Sequence, residues 1–212
     1  MGLFESDLER VVSGMAKDIR KVPMNPKTTV VVNMDTVNGF FRSGSMASPR
    51  LEAVIPEIVR VNEYFLSSRK LFLIDNHLPD SVEFKAFPKH CCDDYECSVI
   101  EELGSFAAGL NTDIIYKNST NAFLSNSFIR WLAQNDGLYS NFVIVGGITD
   151  ISVMQFALTL RAYFNEKNEP RKRIAVVENA VQTFDSDSHN GDRMHTFALY
   201  NMLINGITLV RI

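Results

Sequence analysis

Four short segments of the chain, each directly after an apolar run, carry residue types that do chemistry. They begin at Asp35, Asp75, Lys117 and Gly146. In an open α/β sheet, ligands bind outside the carboxyl ends of the strands. We therefore expect two acids, a histidine, a lysine and a hydroxyl group to meet at one edge of the predicted sheet. Each residue alone would also suit a helix cap or an exposed surface, but their convergence favours a functional site.

The segment after the second predicted strand has the composition of a metal site. Asp75 and His77 are followed by Glu83 and His90. Two carboxylates and two imidazoles form a ligand set that suits Zn²⁺, Fe²⁺ or Mn²⁺ better than Ca²⁺. These residues lie in a long stretch of weak periodicity, 76–112, and such insertions are often functional. We expect the four side chains to bind one divalent ion, the alternative being a surface loop with two ordinary histidines.

The segment after the fourth predicted strand has the pattern of a nucleophile elbow. Gly146 and Gly147 permit a tight turn, and Thr149 or Asp150 can cap the following helix. Ser152 then lies in the first turn of that helix, where free N–H groups and the helix dipole favour negative charge. That position suits a nucleophile beside an oxyanion hole. Serine is also common at helix starts, so the residues alone leave both interpretations open.

The elements that must position these segments alternate along the chain. Apolar residues at helical spacing predict an amphipathic helix over residues 3–20, and a connector follows to Pro26. Further helices are predicted over 51–66, 124–132, 150–164 and 194–203. Buried strands are predicted at 28–34, 71–74, 114–116, 142–145, 173–177 and 207–210. Strands that alternate with helices indicate a parallel sheet covered on both faces.

Composition and charge exclude several classes of function. The 212 residues carry a formal net charge of −4, and the only basic cluster is 171–173, which argues against a nucleic-acid-binding protein. No apolar run approaches the ~20 residues that span a bilayer. The three cysteines are an odd number, bunched between Cys91 and Cys97, which is typical of a reducing compartment. We therefore expect a cytoplasmic protein.

The motifs together resemble those of the cysteine hydrolase superfamily, which contains nicotinamidases and isochorismatases. Asp35–Phe41 is similar to the first-strand motif of that superfamily, and Lys117–Phe123 is similar to its catalytic-lysine segment. Gly146–Val153 resembles its G-x-x-T-D-x-C-V elbow, and Asp75–Cys91 resembles the metal loop of nicotinamidases. In this order along the chain the motifs are jointly specific. The nearest subgroup is the metal-dependent nicotinamidases.

The resemblance implies a fold as well as an activity. The implied fold is a three-layer α/β/α sandwich with a six-stranded parallel sheet in the order 3-2-1-4-5-6, plus the N-terminal helix. It implies one isochorismatase-like hydrolase domain over residues 1–212, in which 1–26 are the N-terminal helix and connector. A cis peptide bond is implied before Ile148.

Site roles also follow from the resemblance. Asp35 moves protons, Lys117 stabilises charge, and Ser152 occupies the position of the catalytic cysteine. The backbone amides of Ile148 and Ser152 form the oxyanion hole. One divalent ion, with zinc favoured over iron or manganese, binds the pyridine nitrogen of the substrate. The implied metal ligands are Asp75, His77, Glu83 and His90, and the implied substrate-binding aromatic residues are Phe40, Phe87 and Phe123.

The implied reaction is hydrolysis of nicotinamide or a similar carboxamide to the acid and ammonia, as in NAD salvage. Ser152 departs from the pattern, because an alcohol is far less acidic than a thiol and the sequence offers it no histidine base. We therefore expect impaired turnover, whether the serine is natural or engineered. The alternatives are an isochorismatase-like hydrolase with another small substrate and a non-catalytic ligand-binding relative. A small carboxamide is the expected partner, with no nucleic acid and no membrane; a homo-oligomer is left open.

Overall fold

A parallel β-sheet is the middle layer of the fold. The computed structural model describes residues 3–212, with side chains from Ser6 onward. Within that part of the chain the strands are β1 (Lys17–Asp18), β2 (Thr29–Met34), β3 (Arg69–Asp75), β4 (Thr112–Lys117), β5 (Asn141–Gly147), β6 (Arg173–Gln182) and β7 (Thr208–Arg211). The helices are α1 (Leu3–Met15), α2 (Asn38–Phe41), α3 (Pro49–Glu52), α4 (Ile55–Tyr64), α5 (Gly104–Ala107), α6 (Asn126–Gln134), α7 (Met154–Glu166) and α8 (Gly191–Ile204).

The strand order across the sheet is β1-β7-β6-β5-β2-β3-β4, and each neighbouring pair is parallel. Read from the β4 edge, β2 to β7 follow the predicted order. The predicted number of six strands is wrong, because Lys17 and Asp18 pair with Val210 and Arg211 and add β1 at the other edge. A strand of two residues is too short to leave a periodic pattern in the sequence.

The predicted N-terminal helix over residues 3–20 is too long, because α1 ends at Met15. The carboxylate of Asp18 accepts a hydrogen bond from the backbone N–H of Arg20 at 2.9 Å and caps a short 3-10 turn. Ile19 is fully buried, but in a different hydrophobic layer from Val12 of α1. The helical spacing of Ile19 in the sequence is therefore coincidental.

Two hydrophobic layers enclose the sheet, because alternate side chains of each strand point to opposite faces. On β2, Val30 and Val32 pack in one layer and Val31 packs in the other. The first layer contains buried residues of α1, α6, α7 and α8, and the second contains buried residues of α2, α3 and α4. Covered on both faces, β2 and β5 are buried along their whole length. The three-layer α/β arrangement therefore agrees with the sequence prediction.

Several predicted helix boundaries are shifted. The helix expected over 51–66 is divided into α3 and α4, and Pro56 lies in the first turn of α4. The helix expected over 124–132 corresponds to α6, whose N-cap residue is Ser125, although its side chain makes no capping hydrogen bond. α8 begins at Gly191, three residues before its predicted start. Proline and cap positions therefore locate helix starts better than apolar spacing does.

Two further observations concern the chain as a whole. Among the described helices, none is both long and apolar enough to cross a membrane. The three cysteines, Cys91, Cys92 and Cys97, are free thiols.

Candidate active site and metal centre

The ends of three neighbouring strands bring two acids and a lysine together. Asp35 follows β2 directly, whereas Asp75 and Lys117 are the last residues of β3 and β4 and lie opposite each other in the parallel register. The backbone of Asp35 has a positive φ of 50°, which turns the chain out of the sheet. The parallel order of the strands thus places all three side chains at the carboxyl ends of the strands, on the same side of the sheet, as predicted.

Lys117 bridges the two carboxylates in the buried interior. Its Nζ lies 3.0 Å from Oδ2 of Asp35 and also donates a hydrogen bond to Oδ1 of Asp75. Oδ1 of Asp35 in turn accepts a hydrogen bond from the backbone N–H of Asp75 at 2.9 Å. All three side chains are at least nine-tenths buried. Two acids therefore share one ammonium group in a region of low dielectric constant.

The protonation states of the three groups differ because their partners differ. Burial, followed by the negative charge of Asp75, raises the pKa of Asp35 to about 7, although Lys117 acts against this. Burial by itself would raise the pKa of Asp75, but the ammonium group of Lys117 holds it well below its usual range. Burial by itself would lower the pKa of Lys117, but the two carboxylates raise it. Asp35 is therefore the member that can exchange a proton near neutral pH.

Four side chains of the predicted metal set lie together. Nε2 of His77 is 3.4 Å from Oδ1 of Asp75 and 3.7 Å from Oε1 of Glu83. Nε2 of His90 is 3.8 Å from Oδ2 of Asp75. Asp75, His77 and His90 are buried and offer ligand atoms within 4.8 Å of one another. The long segment 76–112 therefore supplies three of the four candidate ligands.

Both imidazoles are oriented by a hydrogen bond at Nδ1. Nδ1 of His77 lies 3.2 Å from Oδ1 of Asn118, and Nδ1 of His90 lies 2.7 Å from the carbonyl oxygen of Pro88. Because both partners are acceptors, each Nδ1 carries the proton and each Nε2 presents its lone pair to the cluster. Nε2 of His77 and Oε1 of Glu83 are buried without a hydrogen-bond partner. These unpartnered atoms fit a metal ion, which would satisfy both.

Asn118 is a site residue that sequence reasoning overlooked in this role. Its Oδ1 also accepts a hydrogen bond from the backbone N–H of Leu78 at 3.1 Å, which fixes the orientation of the amide. The available signal was its position directly after Lys117, at the end of β4. Glu83 is held from the same segment, because its Oε2 accepts a hydrogen bond from the N–H of Thr120 at 2.9 Å.

The elbow lies against the end of β2 because of a glycine. Gly146 has φ +110°, and a Cβ atom there would lie 2.1 Å from the carbonyl oxygen of Met34. Only glycine permits this approach and this backbone conformation. The peptide bond between Gly147 and Ile148 is cis, as the family resemblance implied. Oγ of Ser152 donates a hydrogen bond to the carbonyl of Gly147 and accepts one from the N–H of Ile148, each at 3.0 Å.

The predicted helix start in the elbow is wrong. A wide π-helical turn spans Thr149–Val153, and α7 begins only at Met154. Neither Thr149 nor Asp150 caps the helix with its side chain, because both side chains bond to residues far along the chain. Oγ1 of Thr149 lies 3.0 Å from Nδ1 of His195, and Oδ2 of Asp150 lies 2.8 Å from Nε2 of His189.

His189 and His195 both contact the elbow, and the sequence patterns did not predict these contacts. His189 stacks on Phe184 with ring centroids 4.2 Å apart, and its Nδ1 lies 2.9 Å from the carbonyl oxygen of Phe184. Burial, followed by the positive charge of Arg50, lowers the pKa of His195 to about 4. The only sequence signal was that both histidines lie outside the predicted metal loop. Their partners are about 40 residues away, so spacing could not reveal the pairs.

One cavity joins the metal cluster to the elbow. Its lining residues are Phe40, Met46, Asp75, Glu83, Phe87, His90, Thr120, Ile148, Ile151 and Ser152. Its volume is only about 10 Å³, roughly the room of one water molecule. Phe40 and Phe87 thus line this cavity. Phe123 does not: its ring packs against Phe128 and Tyr163 in the opposite hydrophobic layer, because the turn after β4 directs it towards α6 and α7.

The comparisons with known proteins agree with this fold. The pyrazinamidase/nicotinamidase from Streptococcus mutans has a similar structure, with a TM-score of 0.71 and 21% identity over 85% of this chain and 99% of that chain. N-carbamoylsarcosine amidase from Thermoplasma acidophilum has a TM-score of 0.68 and 24% identity over 87% of this chain and 96% of its own. The zinc complex of a pyrazinamidase from Pyrococcus horikoshii has a TM-score of 0.70 and 17% identity, with coverages of 87% and 99%.

At these identities the likeness establishes a shared fold. No curated protein matches the chain significantly by sequence. The family model of the isochorismatase domain, however, matches residues 29–205, which is most of the chain. We call Asp35, Asp75 and Lys117 together the strand-end cluster. From the family match, the parallel α/β sheet and this cluster, we conclude that the chain belongs to the isochorismatase family, within the cysteine hydrolase superfamily.

Proposed function

We propose that the chain is an amidohydrolase of nicotinamidase type that acts on nicotinamide or a similar small carboxamide. The observation that carries this proposal is that candidate metal ligands and Ser152 of the elbow line one and the same cavity. Asp35 and Lys117 adjoin it through Asp75. A nucleophile, a proton carrier and a metal site within reach of one ligand are the components that amide hydrolysis requires.

Asp35 is assigned to proton transfer. The nucleophile attacks the carboxamide carbon, an acyl-enzyme forms, ammonia leaves, and water then releases the acid. With a pKa of about 7, Asp35 can accept the proton of the nucleophile and return it to the leaving amine. Lys117 remains an ammonium group and balances the charge of both carboxylates. The backbone amides of Ile148 and Ser152 are assigned to the oxyanion hole.

Asp75, His77 and His90, with Glu83 as the fourth ligand, are assigned to one divalent ion. Imidazole and carboxylate ligands favour zinc, with iron and manganese as alternatives. When bound, such an ion supplies a Lewis acid for a donor atom of the substrate, for which a ring nitrogen is suitable. The zinc complex of the Pyrococcus horikoshii pyrazinamidase supports this choice of metal.

Ser152 makes slow turnover the expected behaviour of this chain. Its hydroxyl donates to the carbonyl of Gly147, so it must reorient before Asp35 can accept its proton. The four histidines are engaged elsewhere, two in the metal cluster and two behind the elbow. An alcohol without an imidazole base is a weak nucleophile. Binding depends on other groups, so we expect it to be retained.

Elemental analysis tests the metal site. Protein purified from zinc-supplemented medium should contain about one zinc per chain, and His90→Asn and Glu83→Gln should lose it. Asp80→Asn removes an exposed carboxylate from the same segment and is the matched control, which should keep the metal. Equal metal content in all four proteins would show that the cluster is not the site.

Ammonia release tests the reaction. Ser152→Cys should raise the rate on nicotinamide by at least a hundredfold, because a thiol is far more acidic than an alcohol. Each tenfold increase corresponds to ~1.4 kcal/mol removed from the barrier. The affinity of this variant should change little, since the gain arises mainly in the transition state. Ser152→Ala is the control and should release no ammonia. If Ser152→Cys releases none from any of a panel of small carboxamides, the amidohydrolase proposal is wrong, and a non-catalytic binding role or another hydrolase becomes the better explanation.

The partner and location also belong to the proposal. We propose a small carboxamide as the partner, with no nucleic acid or membrane, and a cytoplasmic protein; the oligomeric state is open. The low net charge and the absence of a membrane-spanning helix among the described residues are compatible with these expectations.

A further inference from the structure

A second cavity of about 430 Å³ adjoins the one that contains Ser152. Its lining includes Met46, Ala86, Phe87, Phe184, Asp185 and His189. Met46 and Phe87 line both cavities and therefore form the partition between them. We call the two spaces the inner cavity and the outer cavity.

The inner cavity is too small for a ring as it stands. With room for about one water molecule, it admits a ligand only when a lining side chain moves, and the two partition residues are among those that can do so. Met46 has three rotatable side-chain bonds, so it can adopt another rotamer at low cost. The outer cavity is within the volume range of sites that hold small molecules. Once Met46 or Phe87 moves, the two cavities become one continuous space.

One wall of the outer cavity is rigid and joined to the elbow. Both ring nitrogens of His189 have partners, the carboxylate of Asp150 and the carbonyl of Phe184, at 2.8 and 2.9 Å. The backbone groups of Ser186 and His189 exchange two hydrogen bonds, at 3.0 and 3.1 Å, which close the loop. The stacked rings of Phe184 and His189 therefore form a wall that is already ordered before a ligand binds.

The outer cavity offers little free charge. Among the described residues that line it, Asp185 is the one carboxylate, and this group accepts a hydrogen bond from the N–H of Gly191 at 2.7 Å and contacts Arg50 at 3.3 Å. Alanine, proline and aromatic residues make up much of the remaining lining. Because an aromatic ring prefers apolar and aromatic neighbours, this composition suits an uncharged planar group.

We propose that the outer cavity binds a second, uncharged aromatic ring of an elongated carboxamide substrate, whose amide group reaches Ser152 across the Met46–Phe87 partition. This inference rests on the proposed function for the amide end of the substrate. It assigns the substrate class by size: biaryl carboxamides bind in preference to a single pyridine ring. Phe184 and His189 contribute the specificity for the distal ring.

Titration calorimetry with the unsubstituted protein and zinc tests this. Nicotinamide, 5-phenylnicotinamide and 6-phenylnicotinamide are the probes, and slow turnover at Ser152 keeps them intact. We expect at least one phenyl compound to bind at least tenfold more tightly than nicotinamide. Phe184→Ala should remove this advantage and leave the Kd of nicotinamide unchanged.

Ala86→Trp is a second variant that fills the outer cavity from an exposed position, in case Phe184→Ala does not fold. It should weaken only the phenyl compounds, and Ala133→Trp on the exposed face of α6 is its control. Tighter binding of nicotinamide than of both phenyl compounds overturns the inference and leaves the proposed function intact. Binding of a phenyl compound without binding of nicotinamide, if sensitive to Ala86→Trp, supports the outer cavity. Binding of none of the three refutes both proposals.

Discussion

The pH dependence of the free energy of unfolding tests whether the surroundings of His195, behind the elbow, keep its imidazole neutral. Its Nδ1 lies 3.0 Å from Oγ1 of Thr149, and burial together with Arg50 lowers its pKa from 6.5 to about 4. The folded state therefore binds this proton more weakly than the unfolded state does. The stabilisation is complete above pH 6.5 and is lost as the pH falls through about 4.

The size of the effect follows from the shift in pKa. The fall in pKa from 6.5 to about 4 corresponds to about 3 kcal/mol when fully expressed, and up to about 2 kcal/mol of it should be lost between pH 8 and pH 5. The substitution His195→Asn removes the titrating imidazole. Its amide group takes the position of the ring nitrogen Nδ1 and can still bond to Thr149. We expect the variant to be less stable than the unsubstituted chain at pH 8 and to approach or exceed it at pH 5.

Urea unfolding followed by circular dichroism at pH 5, 6, 7 and 8 provides the measurement. The difference between the two proteins at pH 8 reports lost packing, and its change with pH reports His195 alone, since all other groups are common to both. If the two proteins lose the same free energy of unfolding between pH 8 and pH 5, the imidazole is not held neutral by its surroundings and the reasoning is wrong.

Three further substitutions test the strand-end cluster and the elbow. Lys117→Met leaves two buried carboxylates without a cation and should cost about 3–5 kcal/mol at pH 8. Urea unfolding at pH 8 and pH 6 should show a smaller loss of free energy of unfolding at pH 6, because Asp35 is protonated there. Gly146→Ala should cost more than 2 kcal/mol by thermal unfolding, because of its φ of +110° and the contact with the β2 carbonyl, whereas Gly14→Ala in open space on α1 should be neutral or stabilising. Asn118→Ala should weaken zinc binding about 10- to 100-fold in a chelator competition, because it releases an imidazole ligand; unchanged affinity would exclude this role.

The sequence predicted the sheet and most of the cluster for a simple physical reason. Carboxyl ends of parallel strands share one edge, so chain order alone places Asp35, Asp75 and Lys117 together once the strands are recognised. The spacing of His77 and His90 after Asp75 likewise keeps the candidate ligands within one segment. A site built from strand ends can be predicted because its geometry is inherited from regular secondary structure.

Packing decided what local patterns could not encode. The two-residue strand β1 exists only because the β7 edge is there to pair with it, and Phe123 faces α6 and α7 because the turn after β4 directs it there. The contacts of His189 and His195 with the elbow join residues about 40 positions apart, so no spacing in the sequence reveals them. The pKa of about 7 at Asp35 depends on burial and on the competing charges around it. Residue types and strand order were thus determined by the sequence itself, whereas side-chain direction, long-range partners and protonation depend on the environment that only the folded chain creates.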